Sequence, residues 1–209
     1  MEKDTKFAVL GGGSWATAIV KMLTNNQEMV GWYMRNSDAI EHIKTQKHNP
    51  NYLTSVEFKT EQLFLTDDIN DAVNFADVLI FAVPSAFLVS ELKKLKSPLK
   101  DKIIFSAIKG IVPESGLIVG EHFHEIYKIP FENIGVITGP CHAEEVAMER
   151  LSYLTIACAD KDKAQLIAKN LSSNYIKTNI SKDIIGTEYA AMLKNIYAIA
   201  AGIAHGLGY

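Results

Sequence analysis

Short, continuously apolar runs alternate along the chain with stretches of helical period. Phe7-Ala-Val-Leu-Gly11 has no polar position at every second residue, which predicts a strand covered on both faces. Trp15 to Asn25 follows with Ala18, Ile19, Met22 and Leu23 on one helical stripe. Met29 to Met34 reads as a second strand, and Ser37 is expected to cap a helix from Asp38 to about Lys44. A polar, turn-rich loop, His48 to Leu53, separates these from a short helix at Asp68 to Phe75 and a strand at Val78 to Val83. Pro84-Ser85 opens a helix with Phe87, Leu88, Leu92 and Leu95 at helical spacing, and Ile103 to Ser106 is again an apolar strand. The alternation continues through Gly116–Tyr127, Ile134–Thr138, His142–Glu149, Leu154–Cys158, Asp162–Leu171 and Tyr175–Thr178. Strands separated by helices of this length predict parallel βαβ units in an α/β sheet with helices on both faces.

The last stretch breaks the rhythm. Thr187 to about His205 predicts one long Ala-rich helix with no strand after it, apolar almost all round and therefore expected inside a helical layer. The expected division is 1–181 as the α/β unit and 182–209 as the first helix of an all-α unit. With 209 residues, 48% of them hydrophobic, the chain can bury a sizeable core. A net charge of −3 gives no basic field for nucleic acid, and no apolar run approaches the roughly 18 residues of a membrane span. Two cysteines without CxxC or metal spacing, and a charged N-terminus without a signal-peptide core, predict a reduced, cytoplasmic setting. His122 and His124 fall two apart on a helix and face different ways, so they are expected to be solvated, and no metal site is expected.

The first strand ends in Gly11-Gly12-Gly13-Ser14-Trp15-Ala16, and a helix follows at once. This GxGxxA, in strand–turn–helix context, is the dinucleotide-binding fingerprint of a Rossmann-type, doubly wound, mostly parallel sheet. Gly11 permits the tight turn, Gly13 lets the backbone approach a pyrophosphate, and Ala16 is small enough for helix–strand packing. The helix start supplies free N–H groups and the positive end of the dipole. The second strand ends Trp32-Tyr33-Met34-Arg35-Asn36, with no carboxylate to accept from a ribose 2′-hydroxyl. Arg35 can instead pair with a 2′-phosphate, so NADPH is the expected cofactor, with NADH as the lesser one.

Three further segments make the pattern specific. Ser106-Ala-Ile-Lys109-Gly110 follows a strand, and Thr138-Gly139-Pro140-Cys141-His142-Ala143-Glu144-Glu145-Val146-Ala147 spans a strand end and a helix start. Gly186 to Gly208, carrying Lys194-Asn195, forms the long helix and its end. With the glycine turn and Asn49-Pro-Asn-Tyr52-Leu53, these resemble, in order and spacing, the bacterial NAD(P)-dependent glycerol-3-phosphate dehydrogenases, from residue 7 to the last. The resemblance implies reversible reduction of dihydroxyacetone phosphate to sn-glycerol 3-phosphate, a supply for phospholipid synthesis. It implies that Gly11, Gly13, Ser14, Trp15, Arg35, Tyr52 and Ala143 contact the cofactor and that Lys109 touches both cofactor and substrate. Gly139 and Cys141 would line the substrate site, and Lys194 would be the general acid/base. The implied partner is a small phosphorylated triose or glycerol substrate.

The residues themselves support this chemistry. Ketone reduction needs a proton donor at the oxygen that gains charge. Lys194, flanked by Leu193 and Ile196, is expected to be desolvated, which favours a neutral amine suited to base catalysis. Lys109 falls at a strand end, on the edge where open α/β sheets bind ligands. Other residues depart from the family pattern: Ala16 replaces a common glycine, and Cys141-His142 replaces a Ser/Thr-Phe pair. A cysteine is the poorer hydrogen-bond partner, and adjacency in sequence does not make Cys141 and His142 a catalytic pair. The family continues past the Gly-Leu-Gly turn into a helical domain with further substrate-binding segments. The 209 residues are therefore expected to turn over poorly or not at all, and their apolar last helix to be exposed or joined in a homodimer. Two other readings stay open: another two-domain NADPH-dependent reductase of hydroxyacid or ketopantoate type, and a non-catalytic NADPH-binding module.

Overall fold

The computed structural model describes residues 5–209; the charged residues 1–4 lie outside the described part. In chain order the elements are β1 (Phe7–Leu10), α1 (Ser14–Thr24), β2 (Val30–Tyr33), α2 (Ser37–Gln46), β3 (Leu63–Thr66), α3 (Ile69–Phe75), β4 (Val78–Phe81), α4 (Ser85–Leu92) and β5 (Ile103–Ser106). They continue with β6 (Ile111–Val112), β7 (Leu117–Ile118), α5 (Val119–Tyr127), β8 (Ile134–Thr138), α6 (Ala143–Ala147), β9 (Ser152–Cys158), α7 (Lys161–Leu171), β10 (Ile176–Ser181) and α8 (Ile184–Gly206). Eight strands form one sheet in the order β10-β9-β8-β5-β4-β1-β2-β3, and β6 and β7 form a separate hairpin.

The central strands are buried on both faces, as their apolar runs predict. Alternate residues serve opposite layers. Phe7, Val9, Val78 and Ile80 join the core under α1, α2 and α7, whereas Ala8, Leu10, Leu79 and Phe81 join the core under α3, α4 and α5. The doubly wound, mostly parallel sheet is thus present, with one reversal: β9 runs antiparallel to β8. The reason is the connection. α6 spans five residues, too few to carry the chain back to the far end of the sheet, so β9 starts where β8 ends.

Several expectations need correction. The cap of α2 is Asn36, whose side chain accepts from the amides of Asp38 and Ala39; Ser37 is the first helical residue. Gly116–Tyr127 is not all helix, because Leu117 and Ile118 pair with the preceding strand before α5 begins. His122 is buried, because α5 is covered by the hairpin as well as the sheet; its Nδ1 meets the Ser115 hydroxyl at 3.0 Å. His124 is half-buried, with its ring stacked on Phe131 at 4.1 Å. α8 is mostly exposed: among its residues only Ile184 and Glu188 are buried, since only its first turns meet α5 and the sheet. No described helix is long and apolar enough to cross a membrane.

Candidate cofactor site

The strand order reverses direction of winding between β1 and β4, since β2 follows on one side of β1 and β5 on the far side of β4. The chain leaves β1 toward α1 on one face and leaves β4 toward α4 on the other. A crevice opens where they part, at the carboxyl ends of the strands. It holds about 720 Å³, within the range of small-molecule sites.

The glycine turn forms its floor. Gly11 has φ +141°, and a Cβ there would strike the Ala82 carbonyl. Its amide donates to the Tyr33 carbonyl at 2.9 Å, and its own carbonyl accepts from the Trp32 indole at 2.8 Å. Gly13 caps α1, and Thr17 donates to its carbonyl through both amide and hydroxyl at 2.9 Å. The amides of Ser14, Trp15 and Ala16 precede that first intrahelical bond, so the helix gives them no acceptor. A Cβ at Gly13 would meet no protein atom within 4 Å, so the turn is open on its cleft side. An anion can therefore approach these amides closely.

Asn49 locks this turn to the following loop. It is buried; its Nδ2 donates to the Gly12 carbonyl at 3.1 Å and to Thr17 Oγ1 at 2.9 Å. Its Oδ1 accepts from the amides of Asn51 at 3.0 Å and Tyr52 at 3.3 Å, which sets Tyr52 on the rim.

Arg35 stands just beyond β2 with a half-exposed side chain. Its guanidinium lies over the Phe87 ring at 4.9 Å, and its Nε is 3.7 Å from Glu91 Oε1. Glu91 is buried on α4. It accepts from the Tyr33 hydroxyl and, at 3.0 Å to each oxygen, from Lys94 Nζ. Burial, and then the bond to Glu91, push the Tyr33 hydroxyl well above the usual phenol range. Across the cleft, Lys109 is exposed after β5, and Cys141 and Ala143 are buried at its wall. Burial pushes the Cys141 thiol up, against the weaker pulls of the neighbouring Ser152 side chain and the charge of Lys109.

Of the residues expected in a site, Gly11, Gly13, Ser14, Trp15, Arg35, Tyr52, Lys109, Cys141 and Ala143 line this one crevice. Two do not. Gly139 has φ +147° and packs against the backbone of Tyr153 and Leu154, so its lack of a side chain serves the turn after β8. Lys194 is exposed on α8, so the desolvation expected for it is not supplied by the described residues. Among the cleft residues that the sequence does not single out for the site are Asn49, Tyr33, Phe87 and Glu91. The motif around Asn49 was a signal; for Glu91 the only one was a carboxylate set between Leu88 and Leu92 on an apolar stripe. The crevice fits a dinucleotide: open amides at a helix start for a pyrophosphate, and a cation where the adenosine ribose would end. Among the described residues no cluster could hold a metal ion.

Comparison with known proteins gives a consistent relationship. The family model described as NAD-dependent glycerol-3-phosphate dehydrogenase N-terminus matches residues 6–164, and the corresponding C-terminus model matches residues 183–209. The glycerol-3-phosphate dehydrogenase [NAD(P)+] of Exiguobacterium sp. is 36% identical over 97% of this chain and 60% of that relative. That of Corynebacterium jeikeium is 34% identical over 97% of this chain and 61% of that relative. Among solved structures, Plasmodium falciparum glycerol-3-phosphate dehydrogenase superposes with a TM-score of 0.86 at 28% identity, over 98% of this chain and 60% of that one. The Coxiella burnetii enzyme gives 0.82 at 26%, over 98% and 62%. The chain thus spans about 60% of the length of the curated relatives it matches.

Proposed function

Because the chain belongs to the NAD-dependent glycerol-3-phosphate dehydrogenase family, we propose that it forms the cofactor-binding part of an enzyme that reduces dihydroxyacetone phosphate to sn-glycerol 3-phosphate. NADPH is the preferred reductant, NADH a lesser one, and the cytoplasm the setting. The observation that carries this reading is one crevice holding the open glycine turn, Arg35 and Lys109 together.

A reduced nicotinamide held in the crevice would supply the hydride for the carbonyl carbon, and the chain's own part would be to hold it and to deliver a proton to the oxygen. The amides of Ser14 and Trp15 would hold the pyrophosphate, Asn49 fixes the turn beneath it, and Arg35 would take the 2′-phosphate. Lys109, exposed at the cleft wall, holds substrate charge near the reacting end. Lys194 gives the proton in reduction and takes it back in oxidation. It stands on α8, in the segment 182–209 that we take as the start of a second, helical unit.

Titration of the chain with NADPH and NADH, read by nicotinamide fluorescence, tests the reading. A half-exposed, charge-assisted contact should favour NADPH by about tenfold. Arg35→Gln should erase that preference with NADH affinity unchanged. Equal affinities in the parent chain, or tighter NADH, would overturn it.

A further inference from the structure

We propose that Glu91, two turns along α4, is a positioning residue that sets the cofactor preference by holding Arg35 for a 2′-phosphate. This rests on the reading that Arg35 meets that phosphate. The Glu91 side chain is only 2% exposed, yet it is charged and lies at the cleft wall. Packing alone would favour an apolar residue beside Leu88 and Leu92, because a buried carboxylate has a desolvation cost. Its partners show what offsets that cost. One oxygen accepts from the Tyr33 hydroxyl, Lys94 Nζ reaches both oxygens at 3.0 Å, and Arg35 Nε stands 3.7 Å away.

The geometry leaves Arg35 one way to act. Its Nε edge faces Glu91 and one face of its guanidinium lies on Phe87 at 4.9 Å. Among the described residues no hydrogen bond is made by its two terminal amino groups, which leaves them for a ligand in the cleft, as a fork matched to phosphate oxygens. An unrestrained arginine gives up much of its rotamer freedom on binding, and one already held gives up less. Lys94, on the same carboxylate, adds a second cation beside the first, so the cluster of Arg35, Lys94 and Glu91 keeps a net positive charge. Tyr33 braces Glu91 from the end of β2, and Glu91 itself reaches Arg35 from α4, so the restraint on the arginine is supplied by the fold.

The test is the ratio of NADPH to NADH affinity, measured by fluorescence titration, in the parent chain and in Glu91→Gln. Glutamine keeps the shape and an acceptor for Tyr33 but removes the charge. NADPH binding is expected to weaken about three- to tenfold, with NADH within twofold of the parent. Tyr33→Phe, which removes only the brace, should shift the ratio the same way by less, and it serves if Glu91→Gln does not fold. Equal loss of both cofactors would mean a merely structural role and would overturn the inference. Selective loss of NADH would overturn it too, since Glu91 would then be the acceptor for an unphosphorylated ribose. So would tighter NADPH, which would mean that the carboxylate repels the phosphate. A parent chain without NADPH preference defeats the premise about Arg35, and that result is visible before any Glu91 variant is made.

Discussion

The carboxyl group that fastens α8 to α5 should give the protein a pH-dependent stability with a definite sign. Glu188 lies in the second turn of α8 and is 5% exposed. Its Oε2 accepts from the Gly120 amide at 2.9 Å, at the first turn of α5, where the helix dipole favours an anion. Burial nevertheless dominates: with Glu121 adding repulsion, it pushes the carboxyl from 4.5 up to about 7, against the pull of the Gly120 bond. The folded state therefore binds the proton more tightly than the unfolded one. The stabilisation is complete below pH 4.5, falls as pH rises, and is gone above about pH 7. A shift of that size corresponds to about 3 kcal/mol. Opening the first turns of α8 would let water reach the carboxylate, and the rest of that helix is exposed, so local opening sets a ceiling and about 1–3 kcal/mol should appear. Glu188→Gln keeps an acceptor for Gly120 and removes the charge. Urea unfolding of both proteins at pH 5 and pH 8 measures the effect as a difference of differences. Burial holds the His122 pKa low, which gives stability the opposite pH slope, but that contribution is common to both proteins and cancels. The glutamine variant should gain on the parent by about 1–3 kcal/mol between pH 5 and pH 8. A difference that stays constant within about 0.5 kcal/mol, or that moves toward the parent as pH rises, would refute the reasoning.

Two further outcomes follow from the site. Asn49→Ala removes hydrogen bonds to Gly12, Thr17, Asn51 and Tyr52, so it should cost about 2–3 kcal/mol in thermal or urea unfolding and weaken NADPH and NADH alike. Lys194→Ala replaces an exposed side chain, so unfolding should move by less than about 0.5 kcal/mol. In the active enzyme its turnover should fall about 10²- to 10⁴-fold with NADPH affinity unchanged, and a loss under about tenfold would end its role as proton donor.

The strands could be read from sequence wherever the sheet is covered on both faces, because burial leaves an unbroken apolar run such as Val78–Phe81. β3 could not. It is an edge strand with one neighbour, Phe64 and Leu65 are only half-buried, and its apolar run, Leu63-Phe64-Leu65, is short and set among polar residues. The reversal of β9 depends on the length of α6, and helix ends are where sequence patterns are weakest. Periodicity places His122 and His124 on different sides of α5, but it does not say which sides are covered; the β6–β7 hairpin decides that. The same limit applies to α8. Its all-round apolar pattern states that a helix has faces to bury, and only the surrounding elements determine which of them, here the side bearing Ile184 and Glu188, are buried.

The candidate site divides along the same line. Residues that act through backbone geometry are legible, because Gly11, Gly13 and the amides after them form a turn whose shape is set within a few residues. That turn states that a dinucleotide fits. Which dinucleotide fits is a different matter, which the proposed role of Glu91 assigns to residues of β2 and α4. β2 and β4, the strand that leads into α4, flank β1 from opposite sides in the sheet, yet Tyr33 and Arg35 meet Glu91 of α4. Sequence shows Arg35 as an available cation, but an exposed arginine is a cation with many rotamers, and selectivity requires that it point one way before the ligand arrives. The restraint comes from a carboxylate 58 residues beyond the tyrosine that braces it. In this arrangement the glycine turn can stay constant while a change in α4 alters the choice between NADPH and NADH. Substitutions at Glu91 and Tyr33 should therefore change cofactor preference without touching the fingerprint that announces the site.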